Sequence, residues 1–233
     1  MEIIPVIDVM GGKLVHARGG ERANYPLLTS TLTTSHDPIE VIRDLLAYAS
    51  FSTVYIADLD AIILATRNSE LYTEIARTFP DITFYLDAGV TDKASWHSIA
   101  IEANIYPVIG SETLLASDWI ADAQVQQGSI LSLDFKHGEF LGEQQLLSSP
   151  SLWPQQVIAM NLDCIAAQGG PDLTLLADLK QRSNSDIIAA GGVRSEQDLM
   201  ALQKRGIKRV LVASALHDGR IEKTAIKAYL DKP

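Results

Sequence analysis

Ala57-Asp58-Leu59-Asp60-Ala61-Ile62 and Met160-Asn161-Leu162-Asp163-Cys164-Ile165 are the two stretches that decide how this chain is read. Each closes a short apolar run. An offset of 103 residues lays Asp58 on Asn161, Leu59 on Leu162, Asp60 on Asp163 and Ile62 on Ile165. The same offset carries Gly89-Val90 onto Gly192-Val193 and Ser111 onto Ser214. The first run of each half matches at an offset of 126, with Asp8 on Asp134 and Gly12 on Gly138. The 23-residue difference fits a longer first loop over 10–36. A long-period self-match of this kind points to two copies of one unit. The identities are few, so chance matching of a common strand–helix pattern is the competing reading.

Working outward, eight apolar runs rich in Val and Ile recur: 3–9, 53–58, 83–87, 106–110, 130–135, 157–161, 186–190 and 209–213. They are apolar at successive positions, as expected for parallel strands buried on both faces. Amphipathic stretches lie between them. Asp37-Pro38 caps a helix over 39–49, Asn68 or Ser69 opens one over 70–79, and Ser195 opens 196–204 with Gly206 closing it. Strand–helix alternation predicts an α/β chain. Two four-strand units favour closure, so the expected fold is a single (βα)8 TIM barrel over 1–233 with half-barrel internal duplication, the halves running roughly 1–127 and 128–233.

In such a barrel the active site lies at the strand C-termini. Asp8 ends the first run and Asp134 the fifth, on opposite sides of an eight-strand ring. Two carboxylates facing a central ligand suit proton transfer, one accepting while the other donates. The donor needs a dry site or a like-charged neighbour to stay protonated. A strand-terminal Asp that caps the next loop is the alternative. Asp58 stands as a substrate-contact candidate, while Asp60 and Asp163 read as structural carboxylates that accept from nearby backbone amides. Gly191-Gly192 after the seventh run, with Ala213-Ser214 after the eighth, predicts a phosphate site where glycine lets an anion approach the backbone. Gly89, Gly110 and Ser111 form the first-half counterpart, where Ala88 replaces one glycine. Arg18 and Arg22, in the long first loop, either close over an anionic ligand or are solvated. The histidines at 16, 36, 97, 137 and 217 have no metal-ligand spacing and read as surface residues. The tryptophans read as packing residues.

The bulk properties narrow the partners. The 233 residues are 47% hydrophobic and 21% charged, which fits a folded domain. A net charge of −10 opposes nucleic acid and anionic membrane surfaces, yet leaves a small phosphate ester open because backbone amides hold phosphate locally. No nucleic-acid or membrane partner is expected, and nothing indicates a protein partner. The single Cys164, the strand-like start and the lack of a long apolar span predict a soluble cytoplasmic protein without a signal peptide.

Ile4-Pro5-Val6-Ile7-Asp8-Val9 with Gly12-Lys13, Ala57-Asp58-Leu59-Asp60-Ala61, Ala190-Gly191-Gly192-Val193 and Ala215-Leu216-His217-Asp218-Gly219 resemble the histidine-biosynthesis barrels. That family comprises the phosphoribosylformimino-aminoimidazole carboxamide ribotide isomerase and its cyclase relative. The resemblance implies an aldose–ketose isomerase with no metal, no organic cofactor and a substrate carrying two phosphates, in which Asp8 is the base of an Amadori-type rearrangement. It also implies an acid at the end of the sixth strand, where this chain has Asn161; an amide hydrogen-bonds substrate but donates no proton near neutral pH, unless Asp134 substitutes. The family's Asp-Gly-Thr after that strand is replaced by Cys164-Ile165-Ala166. These departures are similar to a divergent branch linked to pterin-dependent one-carbon metabolism. A different reaction in such a pathway, or a non-catalytic phosphate-binding partner, is the alternative function.

Overall fold

The computed structural model describes residues 1–16, 25–165 and 169–230. Its strands are β1 (Glu2–Met10), β2 (Lys13–Val15), β3 (Thr53–Asp58), β4 (Thr83–Asp87), β5 (Ile105–Gly110), β6 (Ile130–Lys136), β7 (Glu139–Leu141), β8 (Gln156–Asn161), β9 (Asp186–Ala190) and β10 (Arg209–Val212). Parallel pairing runs β1-β3-β4-β5-β6-β8-β9-β10, and β10 returns to β1 with Ile3 opposite Val210 and Ile4 opposite Leu211. The chain is a closed eight-stranded (βα)8 barrel. The helices are α1 (Pro38–Tyr48), α2 (Leu59–Leu64), α3 (Ser69–Thr78), α4 (Lys93–Ile99), α5 (Ala123–Gly128), α6 (Gln144–Ser148), α7 (Leu173–Arg182), α8 (Glu196–Lys204), α9 (Ser214–His217) and α10 (Lys223–Leu230).

Strand side chains alternate between two apolar clusters, as the period of two requires. Ile4, Tyr55, Tyr85, Val108, Ile130, Ile158, Ile188 and Leu211 fill the barrel interior. Their neighbours, such as Ile3, Val54, Phe84, Ile109, Leu131, Val157, Ile187 and Val210, pack outward against the helices. This parity fixes which strand-terminal residues can reach the central ligand. Asp8 shares its face with Ile4 and Val6, and Asp134 shares its face with Ile130; both point inward. Asp58 and Asn161 follow the inward residues Ala57 and Met160, and so point out.

Local chemistry explains the helix starts. Asp37 Oδ1 accepts from the amides of Ile39 and Glu40 at 3.0 and 3.1 Å, with Pro38 at the first helical position of α1. At the end of α8 the amide of Gly206 reaches Gln203 O and that of Ile207 reaches Leu202 O, which is the paired closing bond of a left-handed glycine cap.

Two short hairpins stand at corresponding places in the two halves of the chain. β2 folds back on β1, pairing Asp8 with Val15 and Met10 with Lys13. β7 folds back on β6, pairing Asp134 with Leu141 and Lys136 with Glu139. Both turns hold two residues at positive φ, Gly11-Gly12 at 57° and 71° and His137-Gly138 at 54° and 75°, as a tight two-residue hairpin needs. Each turn is tied by the carboxylate that sequence reading assigned to structure. Asp60 Oδ2 accepts from Gly11 N at 2.6 Å, and Asp163 Oδ2 accepts from His137 N at 2.5 Å. The sequence offsets of 103 and 126 therefore superpose not only residues but one interaction on its equivalent.

Removing the α1 cap tests this local account. Asp37→Ala is expected to lower unfolding free energy by about 1 kcal/mol in urea titration, with an unchanged slope.

Candidate active site

The C-terminal ends of the barrel strands surround a cavity of about 540 Å³. Asp8, Tyr55, Asp87, Asp134 and Met160 line it from the strands; Gly191, Gly192 and Ala213 line it after β9 and β10. Tyr25, from the first-loop segment that follows β2, reaches in over the mouth, and Lys136 and His137 come from the β6–β7 hairpin. Four strand steps separate β1 from β6 in either direction around the ring, so Asp8 and Asp134 face each other across the cavity.

Asp134 is 5% exposed and held at both oxygens. Ser132 Oγ donates to Oδ1 at 2.7 Å, while Ser111 Oγ and the amide of Glu112 donate to Oδ2 at 3.0 and 3.2 Å. Burial nevertheless raises its pKa to about 7, against the pull of the Ser132 hydroxyl, and the charges of Glu112 and Asp87 push in the same direction as burial. Three donors would ordinarily favour the ionised form; here lost hydration outweighs them. The group is thus poised to give or take a proton near neutral pH.

Asp87 and Tyr55 were not singled out in the sequence. Tyr55 Oη donates to Asp87 Oδ2 at 3.1 Å from the cavity floor. Burial and the charges of Asp87, Asp134 and Asp8 all hold the Tyr55 phenol well above its usual value, so it remains a donor. The available signal was parity: Tyr55 lies two residues before Ala57, and the register sets Asp8, Ala57 and Asp87 side by side.

Asp58 and Asn161 are not brought to the cavity. Asp58 is 3% exposed and caps α2, accepting from Ala61 N at 3.0 Å and from the Tyr72 hydroxyl. Asn161 accepts from Asp163 N at 3.0 Å and donates through Nδ2 to Asp172 at 2.9 Å, joining β8 to the start of α7. Arg18 and Arg22 lie outside the described residues.

The second-half glycines lie tight against backbone as well as against the cavity. A Cβ on Gly192 would fall 2.3 Å from Gly170 O, and φ is +81°. Ser214 opens α9, and His16 Nε2 lies 3.4 Å from its Oγ. In the first half, Gly89 packs on Ala61 O of α2, Arg67 binds the carbonyls of Ala88 and Gly89 at 3.0 and 2.7 Å, and Gly110 and Ser111 adjoin the Asp134 carboxylate.

These features sit on a chain whose residues 2–222 match the family described as histidine biosynthesis protein. The chain belongs to that family. Among relatives, an uncharacterized protein of Methanocaldococcus jannaschii is 28% identical over 95% of this chain and 96% of its own length. A 1-(5-phosphoribosyl)-5-((5-phosphoribosylamino)methylideneamino) imidazole-4-carboxamide isomerase of Methanocorpusculum labreanum is 25% identical over 98% of this chain and 99% of its own. The isomerase of the same name from Gemmatimonas aurantiaca is 25% identical over 95% and 96%.

Two further observations complete this family member's site. Among the described residues no group of three or more His, Cys, Asp or Glu side chains is placed to hold a metal ion, and no helix is long and apolar enough to cross a membrane. His217, read from sequence as a surface residue, is instead 2% exposed. Its Nε2 faces Val6 O at 3.3 Å and its Nδ1 faces Ser30 Oγ at 3.0 Å. The carbonyl requires the proton on Nε2, so Nδ1 accepts, and burial keeps the ring neutral by lowering its pKa. The ring thereby pins the first-loop segment to β1 and α9; loop length hid this contact from the sequence.

The raised pKa of Asp134 has a stability consequence of defined sign. An unfolded aspartate titrates near ~3.9, so rising pH ionises the unfolded chain first and native stability falls until the folded group ionises near 7. Asp134→Asn should gain on the wild type between pH 4 and pH 7, by up to roughly 4 kcal/mol, and hold a constant margin above. Chemical denaturation at pH 4, 5.5, 7 and 8 measures it; a margin that does not change with pH contradicts the assignment.

Proposed function

We propose that the protein is an acid–base catalyst of the aldose–ketose isomerase type, acting on a phosphorylated sugar or ribonucleotide, with Asp8 as base and Asp134 as acid. The observation that carries this reading is the pair itself: two inward carboxylates on opposite strands of one cavity, one of them held near neutrality by burial. An Amadori-type rearrangement needs a proton given to the ring oxygen as its bond to C1 breaks, a proton taken from C2 to form the enaminol, and a proton returned to C1 as the C2 hydroxyl gives up its own to become the ketone. Asp134 gives the first; Asp8, across the cavity on the β1 side, takes the second. Tyr55 and Asp87 form the floor between them and add hydrogen-bonding groups for substrate hydroxyls. Gly191, Gly192, Ala213 and Ser214 receive the phosphate, where glycine backbone leaves room for an anion and where this fold commonly binds one. The relatives named as isomerases support the reaction type at about a quarter identity.

One observation favours a substrate other than the histidine-pathway ribotide. Asn161 stands at the strand end where the family resemblance implies an acid, and its side chain is engaged with Asp163 and Asp172 away from the cavity. Proton donation then falls to Asp134. A place in one-carbon cofactor biosynthesis is compatible with this reading.

The test is proton exchange. Purified protein in deuterated buffer is given ribose phosphate, phosphoribosylamine and the bis-phosphorylated imidazole carboxamide ribotide, and deuterium at C2 is followed by NMR. Exchange with at least one compound is expected, lowered by ~10²–10⁴ in Asp8→Asn. Its rate is expected to decline as pH rises through 7, where Asp134 loses its proton. No exchange with any of the three, or exchange indifferent to Asp8→Asn, overturns the proposal.

A further inference from the structure

Five hydrogen bonds lock the carboxyl group of Asp134 to the end of β5, and they treat its two oxygens differently. The amide of Ser111 donates to Ser132 O at 2.9 Å, and the amide of Asp134 donates to Ser111 Oγ at 2.9 Å. With one lone pair taken by that amide, the Ser111 hydroxyl turns its hydrogen to Oδ2 of Asp134 at 3.0 Å. The amide of Glu112 reaches the same oxygen at 3.2 Å. Oδ1 is met by one donor, the Ser132 hydroxyl at 2.7 Å. Both serines are 1% exposed, so bulk water does not compete for these bonds.

The asymmetry decides where a proton can sit. A backbone amide only donates, so a hydrogen on Oδ2 would point at the Glu112 N–H and at a hydroxyl hydrogen that the Asp134 amide holds in place. Placed there, it would break both bonds. On Oδ1 it breaks neither: Oδ2 becomes the carbonyl oxygen and keeps its donors, and Oδ1 keeps a lone pair for Ser132. Once the proton leaves, Oδ1 takes up negative charge, and the bond from Ser132 becomes charge-assisted and stronger. A bond that strengthens during transfer lowers the barrier of the step without tightening the binding of substrate. Ser132 lies two residues before Asp134 on β6, on the same inward face as Ile130. The offset of 126 sets Val6 in that place before Asp8, and valine has no hydroxyl to offer.

We infer that Asp134 carries its transferable proton on Oδ1, and that Ser132 is the positioning residue that holds this oxygen and stabilises the carboxylate left behind. In the step, the Oδ1–H bond breaks and an O–H bond forms on the ring oxygen of a glycosylamine. That oxygen takes the electron pair of the breaking C1–O bond, and the nitrogen on C1 supplies its lone pair to the carbon. The transfer step rests on the proposed function; the placement of the proton rests on the hydrogen bonds alone.

Infrared spectroscopy separates the two. At about pH 5.5 an ordinary aspartate is ionised while Asp134 keeps its proton. The carbonyl stretch of Asp134 is then read in protein labelled with carbon-13 aspartate and assigned by its loss in Asp134→Asn. It is expected to rise in Ser111→Ala, where the carbonyl oxygen loses a donor, and to stay in place in Ser132→Ala. Any other pattern overturns the placement; should Ser111→Ala not fold, a stretch that moves in Ser132→Ala overturns it alone. In the isotope-exchange assay, Ser132→Ala is expected to lower kcat about tenfold with KM unchanged, and Ser132→Thr, which restores a hydroxyl, to recover it. A change confined to KM, or a loss that Ser132→Thr does not recover, overturns the positioning role. The expected infrared pattern in a protein that exchanges nothing removes the proposed function and the transfer step with it, and leaves the proton on Oδ1.

Discussion

The pairing of β1 with β10, Glu2 opposite Arg209 through Pro5 opposite Val212, turns a row of parallel strands into a ring. Without it Asp8 and Asp134 would lie four strands apart along an open sheet. With it, Asp8 and Asp134 lie on diametrically opposed strands, and their side chains converge on one space. The seam is supported beneath, where Arg209 bridges Glu2 at 2.8 Å and also pairs with Asp186 on the strand beyond. Closure also removes the water that would otherwise solvate Asp134. The same geometry that brings the two acids together therefore makes one of them hard to ionise.

The barrel was legible because its strands are buried on both faces. Runs such as 53–58, 83–87 and 186–190 coincide with β3, β4 and β9 to the residue. That same property hid the orientation of strand-terminal side chains. Where both faces are apolar, alternation does not show which face is the interior, and Asp58 and Asn161 looked as eligible for the cavity as Asp8 and Asp134. Only the split of neighbours between barrel interior and helix layer separates them: Ala57 and Met160 face in, so the residues after them face the helices. Asp87 is placed in the cavity by register, because it stands opposite Ala57, which faces in.

The hairpins were missed because three-residue strands carry little periodic signal. Yet one turn residue of each, Gly12 and Gly138, and the two carboxylates that hold the turns, Asp60 and Asp163, belong to the internal repeat. The correspondence between the halves is plainest in these two scaffold contacts. Among the residues lining the cavity Asp87 faces Ala190, while Asp8 and Asp134 coincide. The scaffold positions are tied by hydrogen bonds that few residues can make.

The protonation state of one buried carboxyl group decides whether the cavity can supply an acid. Aspartate labelled with carbon-13 at the side-chain carboxyl, followed by NMR from pH 3 to pH 9 with Asp134→Asn to assign the resonance, measures it directly. A titration near pH 7 for Asp134 is what the burial and its acidic neighbours predict. A titration near pH 4, the ordinary range of an aspartate, would show the three hydrogen bonds outweighing burial, and Asp134 could not then serve as the acid.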